Sequence, residues 1–325
     1  MLPALVHRPS RSRALFAPLV RPARQEAVPL VAVAVFALVV LIGTTAGDFT
    51  FAHREFDPII LLLLAVWGCA QACSRLSVRQ GLVDLCKLVP VFLATALFAP
   101  LASAVLARIS APLADASLAA LDRQMFPAFS WPDTIAALAA HPALLHALSY
   151  TYFSLGGQAI ALLLVLALTG QARQGWAFLT AWCGTLLVTI ALFPLMPAVG
   201  SYAYHAISHA AMPDVLSLSA WNYPHVLGQL RDGSMTVLDG QALEGLVTMP
   251  SFHAAAAVLL GWGYARIPRL RWPMIAWNTV MWLSAVPIGG HYLVDVLAGT
   301  ALAAAAIALV ERFFPPSPVP AGVIA

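Results

Sequence analysis

The sequence predicts an all-α protein, a polytopic membrane helix bundle of about eight spans. Two features of its composition indicate this class. Of the 325 residues, 61% are hydrophobic and only 10% are charged, whereas soluble domains average about 45–50% apolar and about 25% charged residues. The apolar residues also form segments close to the length of about 20 residues that crosses a bilayer as a helix. This composition excludes an ordinary water-soluble enzyme and a disordered chain.

Eight segments are interpreted as spans, of which the second and the sixth are the shortest. They are residues 28–47, 58–73, 85–107, 143–168, 175–195, 252–266, 272–289 and 291–312. The first follows five arginines, as the apolar run of a signal peptide would. However, its apolar run is too long, and no clean small-residue cleavage site follows it. We therefore predict that it is retained as a span.

The positions of the positive charges predict the orientation, because Lys and Arg accumulate on the cytoplasmic side of membrane proteins. With the N-terminus inside, only Arg54, Arg108, Arg123 and Arg231 of the 17 basic residues fall on the outer side. The sequence therefore predicts a multi-pass protein of a bacterial inner (plasma) membrane with both termini in the cytoplasm. The formal net charge of +3 is too small to indicate a nucleic-acid partner.

An outer segment, residues 108–142, is predicted to be helical without spanning the membrane. Its apolar residues share one helical face, and its charged residues lie elsewhere. The apolar set is Ala114, Leu118, Leu121 and Met125, and the charged set is Asp115, Asp122 and Arg123. Such a pattern is typical of a helix lying in the membrane interface, here broken by the Trp131–Pro132 pair.

A second outer segment, residues 196–250, is long and rich in Pro, Gly, His and aromatic residues. Loops of this length are usually functional or disordered, and the repeated Tyr and Trp favour a packed cap. The predicted organisation has five parts. They are a cytoplasmic tail (1–27), accessory N-terminal spans (28–107), the interfacial segment (108–142), a catalytic membrane core (143–313, including 196–250) and a second cytoplasmic tail (314–325).

Three ionisable residues lie where two predicted helices begin on the outer side. His253 follows Pro250 and Ser251 at one start, and His291 and Asp295 lie four residues apart at the other. Residues at this spacing share a helix face, so the carboxylate is expected to bond one imidazole nitrogen and raise the basicity of the other. Ionisable residues at membrane depth indicate function by default.

The same helix starts predict an anion site, since free N–H groups and the positive end of the helix dipole favour a phosphate. A nucleophilic histidine oriented by an aspartate, with a second histidine to protonate a leaving alkoxide, is a complete set for phosphoryl transfer. Two other interpretations stay open. One is a structural polar pair of His291 and Asp295, and the other is a zinc site that adds His253.

These residues resemble the phosphatidic acid phosphatase type 2 superfamily, whose common signature is K-x6-R-P, then P-S-G-H, then S-R-x5-H-x3-D. Ser284 precedes His291 by seven residues, as the last motif requires. The chain departs from the signature elsewhere. Ala285 replaces the arginine, Phe252 replaces the glycine of the second motif, and K-x6-R-P is absent.

The departures resemble the inositolphosphotransferase (inositol phosphorylceramide synthase-like) branch, which carries P-S-x-H and H-Y-x2-D-x3-G. His291, Tyr292, Asp295 and Gly299 fit the second pattern. The resemblance implies a six-helix phosphatase/phosphotransferase core, with His291 as nucleophile, Asp295 orienting it and His253 protonating the leaving oxygen. It implies no metal and no cofactor.

The function expected from this resemblance is transfer of a phosphoryl or phospho-head group from a lipid donor to a hydroxyl acceptor, through a phosphohistidine, at the outer face. The substrate class is a phospholipid or another lipid phosphate. A lipid phosphate phosphatase using water on the same site is the first alternative. A non-enzymatic lipid transporter or scaffold is the second, although no internal repeat of the transporter kind is visible. The oligomeric state stays open.

The phosphate needs a cation, because the lysine and arginines of the signature are absent. Arg231, the only basic residue of the long outer loop, is the first candidate, and a solvated charge paired with Asp232 is its alternative. Arg123 is the second candidate, with interfacial anchoring as its alternative, and Ser251 is also assigned to the phosphate. Tyr152 is interpreted as an aromatic-belt residue, and His205 as a loop residue.

Overall fold

The computed structural model describes residues 25–74, 76, 78–216 and 218–313. The predicted tail 314–325 and nearly all of the tail 1–27 lie outside the described residues. The described chain is 74% helical and has nearly no sheet, which confirms the predicted all-α class. Two two-residue strands are present, β1 (Thr50–Phe51) and β2 (Val237–Leu238).

The helices follow one another with short connections except around residues 193–251. They are α1 (Ala27–Thr45), α2 (His53–Cys73), α3 (Gln80–Ala107), α4 (Asp115–Met125), α5 (Trp131–Ala139), α6 (Pro142–Phe153), α7 (Leu155–Leu168), α8 (Ala172–Leu192), α9 (Ser201–Tyr204), α10 (Ser219–Asp232), α11 (Phe252–Tyr264), α12 (Arg271–Ser284) and α13 (Leu293–Phe313). Short 3₁₀ turns lie at Phe193–Leu195, His209–Ala211 and Gly240–Leu243.

Each of the eight predicted spans is helical, but the helices differ in length. In the described chain, five helices are long and apolar enough to cross a membrane: α1, α2, α3, α8 with the 3₁₀ turn after it, and α13. The pair α6 and α7 makes a sixth if it counts as one span bent by 49°. The remaining two, α11 and α12, have 13 and 14 residues. Each is therefore about 20 Å long, short of the roughly 30 Å of the hydrocarbon core.

Local sequence sets several helix ends. Ser130 caps α5, whose first turn contains Pro132, and Ser251 caps α11 by accepting a hydrogen bond from the Ala254 N–H. Both residue choices are typical of helix starts. Gly233 ends α10 with φ of 88°, a left-handed conformation that glycine adopts at least cost. These residues set where α5 and α11 begin and where α10 ends.

The helices pack so that α11 and α13 lie against each other. α11 contacts α8, α12 and α13, while α3 packs between the N-terminal helices and α7 and α8. The closest approach between α11 and α13 is at Gly299, where an added Cβ would collide with the Ser251 carbonyl oxygen. The backbones of the two histidine-bearing segments are therefore held in direct contact.

The interfacial segment 108–142 is helical as predicted, in the two pieces α4 and α5. Asp115 and Asp122 are buried together with Leu118, whereas Leu121 and Met125 are exposed. The exposed apolar residues fit the predicted contact with the membrane interface. Backbone N–H groups of other segments bond the two buried carboxylates.

Residues 196–250 form a folded cap, here called the cap, as the sequence predicts. Tyr202, Tyr223 and Leu227 are buried within it. The cap also pairs with the loop after α1, because β1 and β2 form a parallel pair with Thr50 opposite Val237. The loop after α1 and the cap therefore lie at the same end of the bundle, here called the cap end.

Candidate active site

Two histidines meet at the cap end. His253 lies in the first turn of α11, as predicted. His291 lies in the turn before α13, which begins only at Leu293, so the prediction that His291 is the first helical residue is wrong by two positions. Its Nδ1 is nevertheless 3.5 Å from Asp295 Oδ2, a distance slightly longer than a good hydrogen bond.

Asp295 joins the two segments of the site. Its side chain is fully buried, and Oδ2 accepts a hydrogen bond of 3.0 Å from the Tyr292 N–H. Its backbone carbonyl accepts another of 3.0 Å from the Ser251 N–H. The residue that faces His291 thus also ties the start of α11 to α13.

The start of α13 is not a free anion site, contrary to the expectation from the sequence. The N–H groups of Leu293 and Val294 donate to the two carboxylate oxygens of Asp122 on α4, at 2.9 Å each. Burial raises the pKa of Asp122, and these two hydrogen bonds oppose that rise. A carboxylate of the protein therefore occupies the position expected for the substrate's phosphate.

Asp115, which shares a helix face with Asp122, holds the loops around the site. Its carboxylate accepts hydrogen bonds of 2.9 Å from the N–H groups of Val199 and Gly200 and from the Tyr292 hydroxyl. Three donors are enough to satisfy a buried carboxylate. Through this residue α4 connects the beginning of the cap to the turn that carries His291.

His253 has an aromatic partner that the sequence did not indicate. The Tyr152 hydroxyl is 3.0 Å from His253 Nδ1, and the two rings are stacked with centroids 3.8 Å apart and planes 10° apart. Tyr152 therefore faces the site and is not an aromatic-belt residue. Tyr150, on the same helix, is 66% exposed, which fits the predicted belt.

The candidate phosphate ligands differ in their surroundings. Arg231 Nη1 donates to the carbonyls of Ser110 and Ala111 and to the Ser110 hydroxyl, at the end of α3. Ser251 is buried, and its hydroxyl caps α11. Among the described residues, neither side chain has a hydrogen bond to either histidine.

Arg123 instead lines a cavity of about 240 Å³ beside the turn that carries His291. Trp131, His205 and Tyr292 also line this cavity, and the Trp131 indole N–H donates to the His291 carbonyl at 3.2 Å. Burial and the nearby charge of Arg123 both lower the pKa of His205. Asp122 also lines this cavity, so a guanidinium and a carboxylate both face it. His205 lies in a loop, as predicted.

Of the residues that the sequence prediction missed, one pair had a usable signal. Asp115 and Asp122 are seven residues apart, so they share a helix face, and two acids on one face near a membrane call for buried donors. Tyr152 and Trp131 had no such signal. They lie 101 and 160 residues from their partners in the chain.

Comparison with known proteins gives one family. Residues 116–309, which are 194 of the 325, match the model of the PAP2 superfamily. No curated protein and no solved structure matches the chain. The matched range begins in α4 and ends in α13, so it contains Asp122, both histidines and Asp295. The chain belongs to the PAP2 superfamily, a family of phosphatases and phosphotransferases, and it is a membrane enzyme of that general type.

Proposed function

We propose that this protein is a lipid phosphotransferase of the inositolphosphotransferase-like branch. It moves a phosphoryl or phospho-head group from a lipid donor to a hydroxyl acceptor. The observation that carries the proposal is the meeting of two histidines with unlike partners beneath the cap. His291 faces a buried carboxylate, whereas His253 faces a tyrosine. One is equipped to act as a nucleophile and the other to exchange a proton.

In the proposed reaction His291 Nε2 attacks phosphorus, since Nδ1 faces Asp295. The bond from phosphorus to the leaving oxygen breaks, and His253 gives that oxygen a proton. Asp295 stabilises the positive charge of the resulting phosphohistidine. The acceptor hydroxyl then loses its proton to His253 and attacks phosphorus, and His291 is released. This sequence uses general acid–base and nucleophilic catalysis.

Burial favours a lipid or sugar hydroxyl over water as the acceptor. The His291 residue is 5% exposed and Asp295 is fully buried. A site closed to water protects a reactive intermediate from hydrolysis. Transfer to water on the same residues, which is the phosphatase reaction, is the competing outcome. The amount of free phosphate released distinguishes the phosphatase reaction from the transferase reaction.

The test uses purified protein in lipid nanodiscs with a panel of ³²P-labelled donors. The panel contains phosphatidylinositol, phosphatidylglycerol, phosphatidic acid and a polyprenyl diphosphate. We expect one donor to label a lipid or sugar acceptor, insensitively to EDTA, and to leave acid-labile, base-stable label on wild-type protein but not on the His291→Ala variant. Release of free phosphate as the main product would establish the phosphatase instead. No turnover of any donor would contradict both.

Arg123, Arg231 and Ser251 are the proposed phosphate ligands. The surroundings of Arg123 support it as the principal one, because it lines the cavity next to His291, whereas Arg231 already bonds the end of α3. Arg123→Ala is expected to lower kcat/KM. The loss should correspond to about 2–4 kcal/mol of transition-state stabilisation, as for other preorganised charge donors. A larger loss for Arg231→Ala than for Arg123→Ala would reverse this ranking.

The proposed location is the bacterial inner membrane, with both termini in the cytoplasm and the site on the periplasmic face. A variant without the four native cysteines would carry one new cysteine, at exposed Gln241 in the cap or at exposed Arg269 between α11 and α12. An impermeant thiol reagent should label the first in intact spheroplasts and the second only after permeabilisation. The reverse pattern would invert the proposed orientation.

A further inference from the structure

The packing of Tyr152 against His253 is more specific than ordinary aromatic contact. The rings are nearly parallel at 3.8 Å, and the phenol oxygen lies 3.0 Å from Nδ1. Most aromatic pairs in proteins are further apart, with ring centroids about 4.5–7 Å from each other. The contact fixes the plane of the His253 imidazole.

A second observation places the same hydroxyl beside His291. A Cβ added to Gly289 would lie 2.8 Å from the Tyr152 hydroxyl and 2.8 Å from His291 Cδ2. The hydroxyl and the second imidazole therefore approach the same point in the turn before α13. Tyr152, His253 and His291 form one cluster, although they come from three separate segments.

The position of Tyr152 is fixed by the bend that follows it. Gln158 Nε2 donates to the Ser154 hydroxyl at 2.7 Å, and the Trp277 indole donates to the same oxygen at 3.0 Å. Asn278 Nδ2 in turn donates to Gln158 Oε1 at 2.9 Å. These bonds hold the break between α6 and α7 against α12, so the last turn of α6 has a defined direction.

The two histidines differ in what stabilises their protonated forms. Asp295 faces His291, but in the described part of the chain no carboxylate lies within ion-pair distance of His253. The face of an aromatic ring attracts a cation through its quadrupole. Because the rings are stacked, the Tyr152 oxygen lies over the face of the imidazole at Nδ1, and its partial negative charge also favours the protonated ring. Tyr152 can thus stabilise the imidazolium and hold the plane of the ring.

We propose that Tyr152 is the positioning residue of His253, stacking on the imidazole with its oxygen over Nδ1 so that the ring plane is fixed and Nε2 exchanges the proton with the leaving and attacking oxygens. This inference rests on the proposed function, in which His253 is the acid and base. It gives Tyr152, for His253, the part that Asp295 has for His291.

The experiment compares Tyr152→Phe and Tyr152→Leu with Tyr150→Phe and Tyr150→Leu as matched controls on the same helix. kcat/KM is measured with p-nitrophenyl phosphate esters, whose leaving group needs little protonation, and with alkyl lipid phosphates, whose leaving group needs it. We expect Tyr152→Phe to lose about tenfold and Tyr152→Leu about a hundredfold with the alkyl esters, within the range for general acids. Both should stay within about threefold of wild type with the aryl esters.

The outcomes separate this inference from the proposed function. Near-normal turnover of His253→Ala and His291→Ala would overturn the proposed function. If those variants are inactive, the Tyr152 inference alone fails when the Tyr152 variants match wild type or lose activity equally with both ester classes. An equal loss would indicate only a structural role.

A spectroscopic measurement tests the contact without turnover. In ¹⁵N-histidine-labelled protein in nanodiscs, the His253 resonances are assigned by their absence in His253→Ala. Tyr152→Phe should shift the Nδ1 resonance of His253, because the hydroxyl is lost while the ring remains, and Tyr150→Phe should not. An unchanged Nδ1 resonance in Tyr152→Phe would overturn the inference.

Discussion

The cap end of the bundle and the N-terminal helices α1 and α2 differ in what they bury. At the cap end, Asp115, Asp122 and Asp295 are all buried and accept hydrogen bonds from backbone N–H groups. In α2, only Phe56 and Ala70 are buried. The three buried carboxylates of the cap end therefore hold irregular backbone, whereas the buried Glu26 at the start of α1 is bonded by side chains. The N-terminal helices are expected to contribute to stability and the cap end to activity.

The largest expected effect is at His291. His291→Ala removes the proposed nucleophile and should lower kcat by about three orders of magnitude or more, as for other residues of this kind. The folded fraction, measured by thermal unfolding in detergent, should stay near wild type, because the neighbouring turn is held by its backbone. Activity within tenfold of wild type would show that the cap end is not the reactive region.

The next largest effect is expected at Gly289, which lies beside the Tyr152 hydroxyl and the His291 ring. Gly289→Ala places a methyl group within 2.8 Å of both Tyr152 and His291 and 2.7 Å from the Ala285 carbonyl. Because a displacement of about 1 Å in a reacting group can cost about a hundredfold in rate, we expect a loss of that order in kcat. Gly245→Ala is the control, since its Cβ would meet nothing within 4 Å. Equal activities of the two variants would contradict the convergence on Gly289.

A smaller effect is expected at Asp115. Asp115→Asn replaces one acceptor oxygen with an NH₂ group facing a donor, so the free energy of unfolding should fall by about 1–3 kcal/mol. kcat should fall as well, because the turn carrying His291 loses a support. Asp133→Asn, at an exposed position of α5, is the control. Equal melting temperatures and equal kcat values for the two variants would contradict the supporting role of Asp115.

The smallest effect on activity is expected at the opposite end of the bundle. Lys87 Nζ is 3.8 Å from Glu26 Oε1, and Gln71 Nε2 donates to Glu26 Oε2 at 3.0 Å. Lys87→Met leaves the buried Glu26 without its cation, so the melting temperature should fall while activity per folded molecule changes less than about twofold. The double variant Glu26→Gln/Lys87→Met should recover stability. A large loss of kcat in folded protein would remove the distinction between the two regions.

The sequence indicated the grouping of the candidate reactive residues better than it indicated their supports. His253, His291 and Asp295 follow from motifs within 45 residues of one another, where local spacing implies shared position. The eight helical segments also follow from apolar runs alone. Their lengths do not, since α11 and α12 have 13 and 14 residues and are shorter than the predicted spans.

The supports escaped prediction for two physical reasons. The apolar residues of α4 were assigned to the membrane interface, but the sequence does not indicate the donors of Asp115 and Asp122, which lie far along the chain. Tyr152 contacts His253 from the last turn of α6, directly before the 49° bend. That bend depends on bonds from α12, so no local pattern indicates it.

The two carboxylates of α4 have a consequence for biogenesis. Asp122 bonds N–H groups that lie 171 and 172 residues later in the chain. While the chain is being inserted, α4 therefore exists long before the donors that satisfy it. A chain that stops before Leu293 leaves Asp122 without either N–H donor, and a buried carboxylate without donors is unstable. The start of α13 thus completes the candidate site, and a chain that lacks it cannot assemble that site.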